Sequence, residues 1–331
     1  MCLKAFVSYF AEAVPNYEGF SIQDFQDKTQ NILSKPILEY VMKASLRKST
    51  EQHNRDAFKN IYFRPKYFKD VSNLSLTTSL LDKEMSIPVG IGPSAMHKIA
   101  HHQGEVATAL AAGSQGTIYV LSSFSTTSIE EIGEKAPNTE KWIQMYIYKN
   151  LSINLNFIRR AEKANFSGIV VTSDAPVHGK TYLKYEFDLP DGLRMENFVG
   201  ITDRPSQIVS SSFTIKNLKW IVNATKLPVF AKGILTKEGA IKARDAGCKG
   251  VFVSTHGGRQ LDGVPASIEA LPEVVKAVGK DMTVVFDSGV RGGDDVFKAL
   301  ALGAKYVFIG RPVFFGLAVD GQKGVEGVLI L

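Results

Sequence analysis

The sequence predicts a (β/α)₈ TIM barrel, because one pattern recurs eight times between residue 86 and the C-terminus. Each repeat has a short apolar run, a cluster of small or polar turn residues, and a helical pattern. The apolar runs are continuous rather than alternating, which is typical of parallel strands buried on both faces. Three helical patterns end at a glycine, at Gly113, Gly247 and Gly303, where a left-handed residue is commonly needed.

The predicted barrel occupies residues 86–331, and residues 1–85 form a helical cap in the same domain. The eight predicted strands cover residues 87–93, 116–122, 142–148, 168–172, 229–233, 250–254, 283–287 and 306–310. Ser21 is a suitable N-cap for a helix that begins at Ile22. The longest connection, residues 175–227, is rich in charged and turn residues and predicts a mobile flap over the barrel mouth.

Composition indicates a globular protein without a membrane span: 331 residues, of which 44% are hydrophobic and 22% charged. The net charge of +6 has no lysine or arginine block behind it, which argues against nucleic acid and suits an anionic cofactor or substrate. Cys2 and Cys248 are far apart and lack metal-ligand spacing. Neither a disulfide framework nor a metal site is expected, and a reducing compartment fits best.

Polar residues end the predicted strands, at the barrel face where the active sites of this fold lie. In chain order they are Pro93, Ser94 and Ala95, Ser122 and Ser123, Gln144 and Tyr146, Thr172 and Asp174, Lys232, His256 and Arg259, residues 287–291, and Gly310 with Arg311. A purely structural explanation does not cover so many polar groups at one rim. The pattern therefore predicts a ligand site.

The last two strand ends predict a phosphate site. Residues 287–291 and 310–312 combine small residues with two guanidinium groups, Arg291 and Arg311. Glycine lets the backbone approach an anion closely, and the loops after strands seven and eight are the usual phosphate cradle of this fold. The alternative is two surface arginines beside turns.

Lys232 ends an otherwise apolar strand, so its ammonium group needs a permanent anionic partner. A flavin ring offers one, because reduction puts negative charge on its pyrimidine edge. A lysine that forms a Schiff base is the rival interpretation.

The string Ser-Thr-His-Gly-Gly-Arg-Gln-Leu-Asp at residues 254–262 is the most informative in the chain. His256 can accept a substrate proton because imidazole titrates near neutrality, and Arg259 can pair with a carboxylate through two hydrogen bonds. Asp174 is expected across the barrel, where it can stabilise the protonated His256. A lone histidine is more often structural, but the flanking glycines and the strand-end position favour catalysis.

These residues together make the chain resemble the FMN-dependent L-2-hydroxy acid oxidases, the family of glycolate oxidase and long-chain hydroxy acid oxidase. The most specific match is SxHGGRQLD at residues 254–262. Further matching strings are FRP at 63–65, PSAM at 93–96, LSS at 121–123, QMYIY at 144–148, KGI at 232–234 and GRP at 310–312.

The resemblance implies FMN as the cofactor and a site that divides into three parts. Contacts to the flavin ring and ribityl chain are implied for Pro93, Ser94, Ala95, Ser122, Gln144, Thr172, Lys232 and Ser254. Contacts to the phosphate are implied for Asp287, Gly289, Arg291, Gly310 and Arg311. Tyr40 and Arg259 would hold the substrate carboxylate and Tyr146 the hydroxyl. His256 would take the α-proton, with Asp174 behind it.

The reaction implied by the resemblance is oxidation of a small L-2-hydroxy acid to the 2-oxo acid, with oxygen as acceptor and hydrogen peroxide as product. The sequence leaves open whether two electrons leave through a carbanion or as a hydride. Chain-length selectivity is expected to depend on the flap and on Phe124. The resemblance also implies a homo-oligomer, a tetramer. It implies a peroxisomal location as well, although the C-terminus carries no targeting tripeptide, and a cytoplasmic location is the alternative.

Three departures from the family pattern keep a second function open. Gly179-Lys180-Thr181 stands where the family has a substrate-binding arginine, so binding of the carboxylate is expected to be weakened unless Lys180 or Lys184 substitutes as a point charge. Residues 45–48 replace a glycine and acidic turn at the mouth. The chain is expected to end inside the helix after strand eight, with shortened closing helices. The alternative function is an FMN-binding homologue with weak or no catalysis. Another FMN barrel, such as an isomerase, is less consistent with the 254–262 string.

Overall fold

A hairpin, β1 (Thr78–Leu80) and β2 (Lys83–Met85), precedes a closed barrel of eight parallel strands in the computed structural model, which describes Tyr17 and residues 19–185 and 187–331. The barrel strands are β3 (Val89–Ile91), β4 (Ile118–Ser122), β5 (Glu140–Met145), β6 (Gly168–Thr172), β7 (Val229–Ile234), β8 (Gly250–Val253), β9 (Thr283–Asp287) and β10 (Tyr306–Ile309). Pairing of β10 with β3 closes the ring. The predicted TIM barrel is confirmed, and each predicted strand overlaps an observed one.

Aromatic side chains fill the barrel interior. Trp142 and Phe230 pack with ring centroids 4.8 Å apart, and Phe252 and Phe308 pack at the same distance. Leu80 and Met85 of the hairpin belong to this buried cluster, so the hairpin covers the N-terminal end of the barrel. A filled interior leaves no room for a ligand between the strands. The polar strand ends on the opposite face are the remaining place for chemistry.

Helices surround the barrel and precede it. Their bounds are Ile22–Ile32, Lys35–Met42, Ser49–Asp56, Gly104–Ser114, Ile129–Lys135, Leu151–Lys163, Ile215–Asn223, Lys237–Asp245, Ser267–Val278, Gly293–Ala301 and Arg311–Ile330. Ser21 caps the first helix in a reciprocal capping box with Asp24, which confirms the predicted cap. The last helix is broken at Asp320 and Gly321. This helix directly follows the eighth barrel strand, as the sequence predicts.

The segment predicted as a helical cap is only partly helical. Residues 1–16 lie outside the described part of the chain, and the helices continue as far as a 3₁₀ turn, Ala57–Asn60. Residues 61–77 are irregular and lead into the hairpin. The hairpin turn uses Leu81 and Asp82, both with positive φ, where asparagine and glycine are the usual residues. The sequence therefore lacks the turn signal that predicts a hairpin.

The connection predicted as a flap contains one 3₁₀ turn, Glu196–Phe198, and the helix Ile215–Asn223. An isolated antiparallel bridge joins Val209 to Tyr148, just beyond β5. Phe198 packs against Phe124 with ring centroids 5.6 Å apart. These contacts attach the connection to the barrel mouth.

The structure bears on the predictions about a membrane span and about the two cysteines. Within the described ranges, no helix has both the length and the apolar character needed to cross a bilayer. Cys248 is free and buried, whereas Cys2 lies outside the described residues.

Asp262 joins the N-terminal helices to the barrel. Its carboxylate accepts hydrogen bonds from the backbone N–H groups of Arg47 at 3.1 Å and Thr50 at 2.8 Å. It also accepts from the Ser49 hydroxyl at 2.8 Å, so it caps the helix Ser49–Asp56. Desolvation raises the pKa of Asp262, but the hydrogen bonds from Thr50 and Ser49 outweigh it and bring the pKa to about 2.

Asp262→Ala is expected to lower the Tm at pH 7 by about 2 °C, because loss of a solvent-screened helix cap costs about 1 kcal/mol. The folded-state pKa lies below the ordinary value, so this stabilisation is present above about pH 4 and is lost as the pH falls toward 2. Thermal unfolding followed by circular dichroism measures the difference. Glu134→Ala, at a side chain that is 76% exposed, is the control. A Tm difference that stays constant down to pH 2.5 contradicts this role.

Candidate active site

One cavity of about 1180 Å³ opens at the C-terminal ends of the barrel strands. It gathers most of the residues singled out in the sequence: Tyr40, Pro93, Ser94, Ala95, Ser122, Gln144, Tyr146, Thr172, Lys232, His256, Arg259, Asp287, Gly289, Arg291, Gly310 and Arg311. Ser254 and Asp174 do not line the cavity and lie directly behind it, bonded to Lys232 and His256. Side chains from all eight strand ends and from the N-terminal segment therefore face one space.

A row of buried polar side chains crosses the barrel top on β4, β5 and β6. The Gln144 amide donates to the Thr172 hydroxyl at 2.9 Å and accepts from the Ser122 hydroxyl at 3.3 Å. Parallel pairing places Ser122 beside Gln144 and Thr172 beside Lys232, so the row continues onto β7. Because buried polar groups need partners, this row suits a planar ligand edge that carries several donors and acceptors.

Lys232 has its anionic partner inside the protein. Its Nζ lies 2.8 Å from Oδ2 of Asp287 and donates to the Ser254 hydroxyl at 2.7 Å. The sequence instead predicts the flavin as the anionic partner of Lys232, and the family resemblance implies Asp287 as a phosphate contact. The structure instead commits the Asp287 carboxylate to Lys232, and a carboxylate is a poor neighbour for a phosphate. The ion pair also argues against a Schiff base, which needs a neutral amine.

His256 and Asp174 form the hydrogen-bonded pair that the sequence predicts. The distance from Nδ1 to Oδ1 is 3.0 Å, and the side chains are 22% and 14% exposed. A carboxylate that accepts from Nδ1–H leaves Nε2 as the free proton acceptor of the ring. The His256 backbone N–H donates to the Ser254 hydroxyl at 3.0 Å, so both ends of the residue are held.

Gly233 makes room for Asp174. A Cβ atom at this position would lie 2.4 Å from Cγ of Asp174, and the backbone φ is +98°. A side chain would therefore both clash with the carboxylate and strain the backbone. Sequence analysis noted Gly233 only as part of a family string, since this contact joins two different strands.

The far end of the cavity is cationic and open. Arg311 donates to the backbone oxygens of Gly257 at 2.9 Å and Lys43 at 2.8 Å. Burial, and then repulsion by Arg259, lower the pKa of Arg311 to about 9. Neither Arg311 nor Arg291 pairs with a carboxylate anywhere in the described residues, which makes an external anion favourable here.

The residues at this end fit the FMN phosphate. A Cβ atom built on Gly310 meets no atom within 4 Å, so the space in front of this residue is free. The helix Arg311–Ile330 begins at the same point, and its N-terminal end favours negative charge.

The residues expected to hold the substrate lie on one side of the cavity. Tyr40 stacks on Phe187 with ring centroids 4.3 Å apart, and Tyr146 stacks on Phe124 at 4.9 Å. Burial raises the pKa of both tyrosines, so both phenols remain protonated donors. One terminal nitrogen of the Arg259 guanidinium donates a hydrogen bond to the backbone oxygen of Val41 at 2.6 Å. Its guanidinium therefore has a fixed position and keeps further donors for a ligand.

The two lysines that could substitute for the family arginine are not in the cavity. Lys180 and Lys184 are exposed and line no part of it, so neither offsets the predicted weakening of carboxylate binding. Lys43 lines the cavity instead. Sequence reasoning missed it, although its position one helical turn after Tyr40 was an available signal.

Comparison with known proteins gives the family. A family model described as FMN-dependent dehydrogenase matches residues 29–331. Glycolate oxidase 3 of Oryza sativa subsp. indica is 42% identical over 324 residues, which cover 93% of this chain and 88% of the relative. The peroxisomal (S)-2-hydroxyacid oxidase of Arabidopsis thaliana is 41% identical over 321 residues with the same coverage.

A solved structure agrees with the sequence relatives. A soluble mutant of the membrane-associated (S)-mandelate dehydrogenase from Pseudomonas putida superposes with a TM-score of 0.90 at 33% identity. The superposition covers 95% of this chain and 92% of that chain. On the matched family model and these relatives, the chain belongs to the FMN-dependent dehydrogenase family.

Proposed function

We propose that the protein oxidises a small L-2-hydroxy acid to the 2-oxo acid, with FMN as cofactor and molecular oxygen as electron acceptor. The observation that carries the proposal is the His256–Asp174 hydrogen bond in a cavity that also holds Arg259. A proton acceptor and a carboxylate-binding cation thus face the same space. The names of two relatives, a glycolate oxidase and a 2-hydroxyacid oxidase, support the same reaction class.

FMN, when bound, accepts two electrons from the substrate and passes them to oxygen. Gln144, Thr172 and Lys232 offer donors and acceptors to the edge of its ring, and Arg291 and Arg311 offer charge to its phosphate. The Lys232–Asp287 ion pair holds the lysine side chain in place. These residues bind and orient the cofactor.

The substrate-facing residues bind the substrate and accept its proton. Arg259 binds the carboxylate, and the protonated phenol of Tyr146 donates to an oxygen of the substrate. His256 accepts a substrate proton at Nε2, and Asp174 stabilises the resulting imidazolium. The two routes that the sequence leaves open differ in the proton that reaches Nε2, from C2 or from the hydroxyl. In either route the substrate loses two electrons and two protons, which oxygen takes up as hydrogen peroxide.

The second candidate function is FMN binding with weak or no catalysis. The observation that favours it is the position of Lys180 and Lys184, since neither brings a cation from the 179–184 segment into the cavity. The two candidates differ in whether a hydroxy acid reduces the bound flavin.

We expect the purified protein to be yellow and to lose its flavin absorbance when glycolate or L-lactate is added without oxygen. Admission of oxygen should restore the colour and release one hydrogen peroxide for each substrate oxidised. Stopped-flow absorbance near 450 nm and a peroxidase-coupled assay measure the two steps. A yellow protein that no hydroxy acid bleaches supports the binding-only function.

His256→Gln is expected to keep the flavin colour and to lower the rate of flavin reduction by about 10²- to 10⁴-fold, because the proton acceptor is removed. Anaerobic stopped-flow reduction measures the rate. His53→Gln is the matched control, since His53 pairs with Glu269 at 2.8 Å and does not line the cavity. Equal reduction rates in the two variants exclude His256 as the base.

Gly233→Ala is expected to lower the rate of flavin reduction by about 100-fold, because the new Cβ atom displaces Asp174 and misaligns His256. Gly263→Ala is the control for backbone strain: Gly263 has a φ of +87°, and its Cβ atom would meet nothing within 4 Å. If both variants lose activity equally, backbone strain and not the position of Asp174 is the cause.

We also propose that the protein acts in peroxisomes as a homo-oligomer, a tetramer. The Arabidopsis thaliana relative is named as a peroxisomal enzyme, which supports the location. Exposed apolar side chains on residues 61–77 support the assembly, since large exposed apolar surfaces are typical of protein interfaces. Tyr62, Val71 and Leu74 are 82%, 80% and 83% exposed.

A further inference from the structure

Lys43 is a cation of the cavity wall whose ammonium group has no ion pair or hydrogen bond among the residues that the structure describes. Its position is nevertheless fixed. It is the C-cap of the helix Lys35–Met42, and its backbone oxygen accepts from Arg311 at 2.8 Å. Nζ lies 5.0 Å from the centre of the Tyr40 ring, and the guanidinium carbon of Arg259 lies 5.5 Å from the same centre. Two cations therefore converge on the ring of one tyrosine.

Three other cations of the cavity are engaged. Lys232 pairs with Asp287, Arg311 with backbone oxygens, and Arg259 partly with the oxygens of Tyr40 and Val41. Lys43 and the exposed Arg204 keep their full sets of donors among the described residues, and of these two Lys43 is the one beside Tyr40 and Arg259.

The charges around Lys43 are unfavourable without an anion. Burial, and then repulsion by Arg259, lower the pKa of Lys43 to about 8. Partial burial and the charge on Lys43 lower the pKa of His178, which lines the cavity beside it. Tyr40, His256 and Arg311 also line the cavity, as do two carboxylates, Asp188 and Asp287, of which Asp287 pairs with Lys232. Within the described residues neither carboxylate forms an ion pair with Lys43, and the charge that shifts the pKa of Lys43 is that of Arg259. Two like charges close together in a partly buried place favour a negative ligand between them.

We propose that Lys43 is a second carboxylate-binding residue of the substrate site, which acts with Arg259 on the anionic form of a 2-hydroxy acid. This inference rests on the proposed function and deepens it. Lys43 supplies the point charge that the sequence offers only through Lys180 or Lys184. The site then selects a charged carboxylate and discriminates against the neutral amide or ester of the same acid.

The test uses the FMN-loaded protein and three variants. Lys43→Met removes the charge at similar length, Lys43→Arg keeps it, and Lys180→Met is the control at a lysine outside the cavity. Oxalate is the probe, and its Kd is measured from the change in flavin absorbance. Lys43→Met is expected to weaken oxalate binding by about tenfold or more, because a charge-assisted hydrogen bond is lost. Lys43→Arg and Lys180→Met should bind oxalate nearly as the unchanged protein does.

The pH dependence separates a charge role from a structural one. Lys43 loses its proton as the pH rises through about 8, so the Kd of the unchanged protein should rise between pH 7 and 9. In Lys43→Met this rise should be absent, and in Lys43→Arg it should be small. With L-lactate as substrate, Lys43→Met should raise KM by about tenfold and change kcat much less. With lactamide, which carries no charge, the KM of the unchanged protein and of Lys43→Met should be equal.

Three outcomes overturn the inference: unchanged oxalate binding in Lys43→Met, an equal loss in Lys180→Met, or a loss of FMN affinity in place of oxalate affinity. Failure of the proposed function looks different. In that case no hydroxy acid bleaches the unchanged protein, although oxalate binding can still depend on Lys43.

Discussion

A buried ion pair between Lys232 and Asp287 holds the centre of the site. It joins β7 to β9, and Ser254, directly after β8, bonds the same lysine, so three consecutive strand ends are connected by one ammonium group. A charge in this position must be paired, because breaking a buried pair by removing one partner costs about 3–5 kcal/mol. The polar row of Ser122, Gln144 and Thr172 continues from this lysine across the neighbouring strands.

The remaining charges of the cavity explain which ligands it suits. Arg291 and Arg311 at one end, and Arg259 and Lys43 on the side, have no carboxylate partner among the described residues. Such an arrangement favours two separate anions, a phosphate at the helix N-terminus and a carboxylate beside the tyrosines. His256 is held next to these cations by the Oδ1 atom of Asp174, whose other oxygen, Oδ2, is buried and makes no hydrogen bond in the described structure. This arrangement suits the proposed role of Asp174 in stabilising a protonated imidazole.

Backbone geometry brings these groups together as much as side-chain chemistry does. Gly233 leaves space for Asp174, and the sharp turn at residues 256–258 is closed by glycines with positive φ. A Cβ atom at Gly258 would lie 2.7 Å from the backbone nitrogen of Glu51. The helix Ser49–Asp56 therefore approaches the turn closely, and Asp262 caps it from the same loop. The string at residues 254–262 thus carries both the proposed base and the attachment of the N-terminal segment.

The sequence by itself determined the barrel, the strand ends and the first helix cap. Continuous apolar runs such as Gly168–Thr172 report burial on both faces, and the capping of Ile22–Ile32 by Ser21 depends on residues three apart. These signals depend on residues that are close together along the chain, so they can be recognised in the sequence. The residues that end the strands could be selected for the same reason, because the fold assigns all strand ends to one face.

Only the tertiary structure decided which residues contact one another in the site. The pairing of Lys232 with Asp287, the contact of Gly233 with Asp174, and the place of Lys43 beside Arg259 each join segments that are distant along the chain. The hairpin at residues 78–85 was missed because its turn residues carry no local signal. A buried charge is stabilised by whichever opposite charge the packing brings near, and local sequence patterns do not encode that choice.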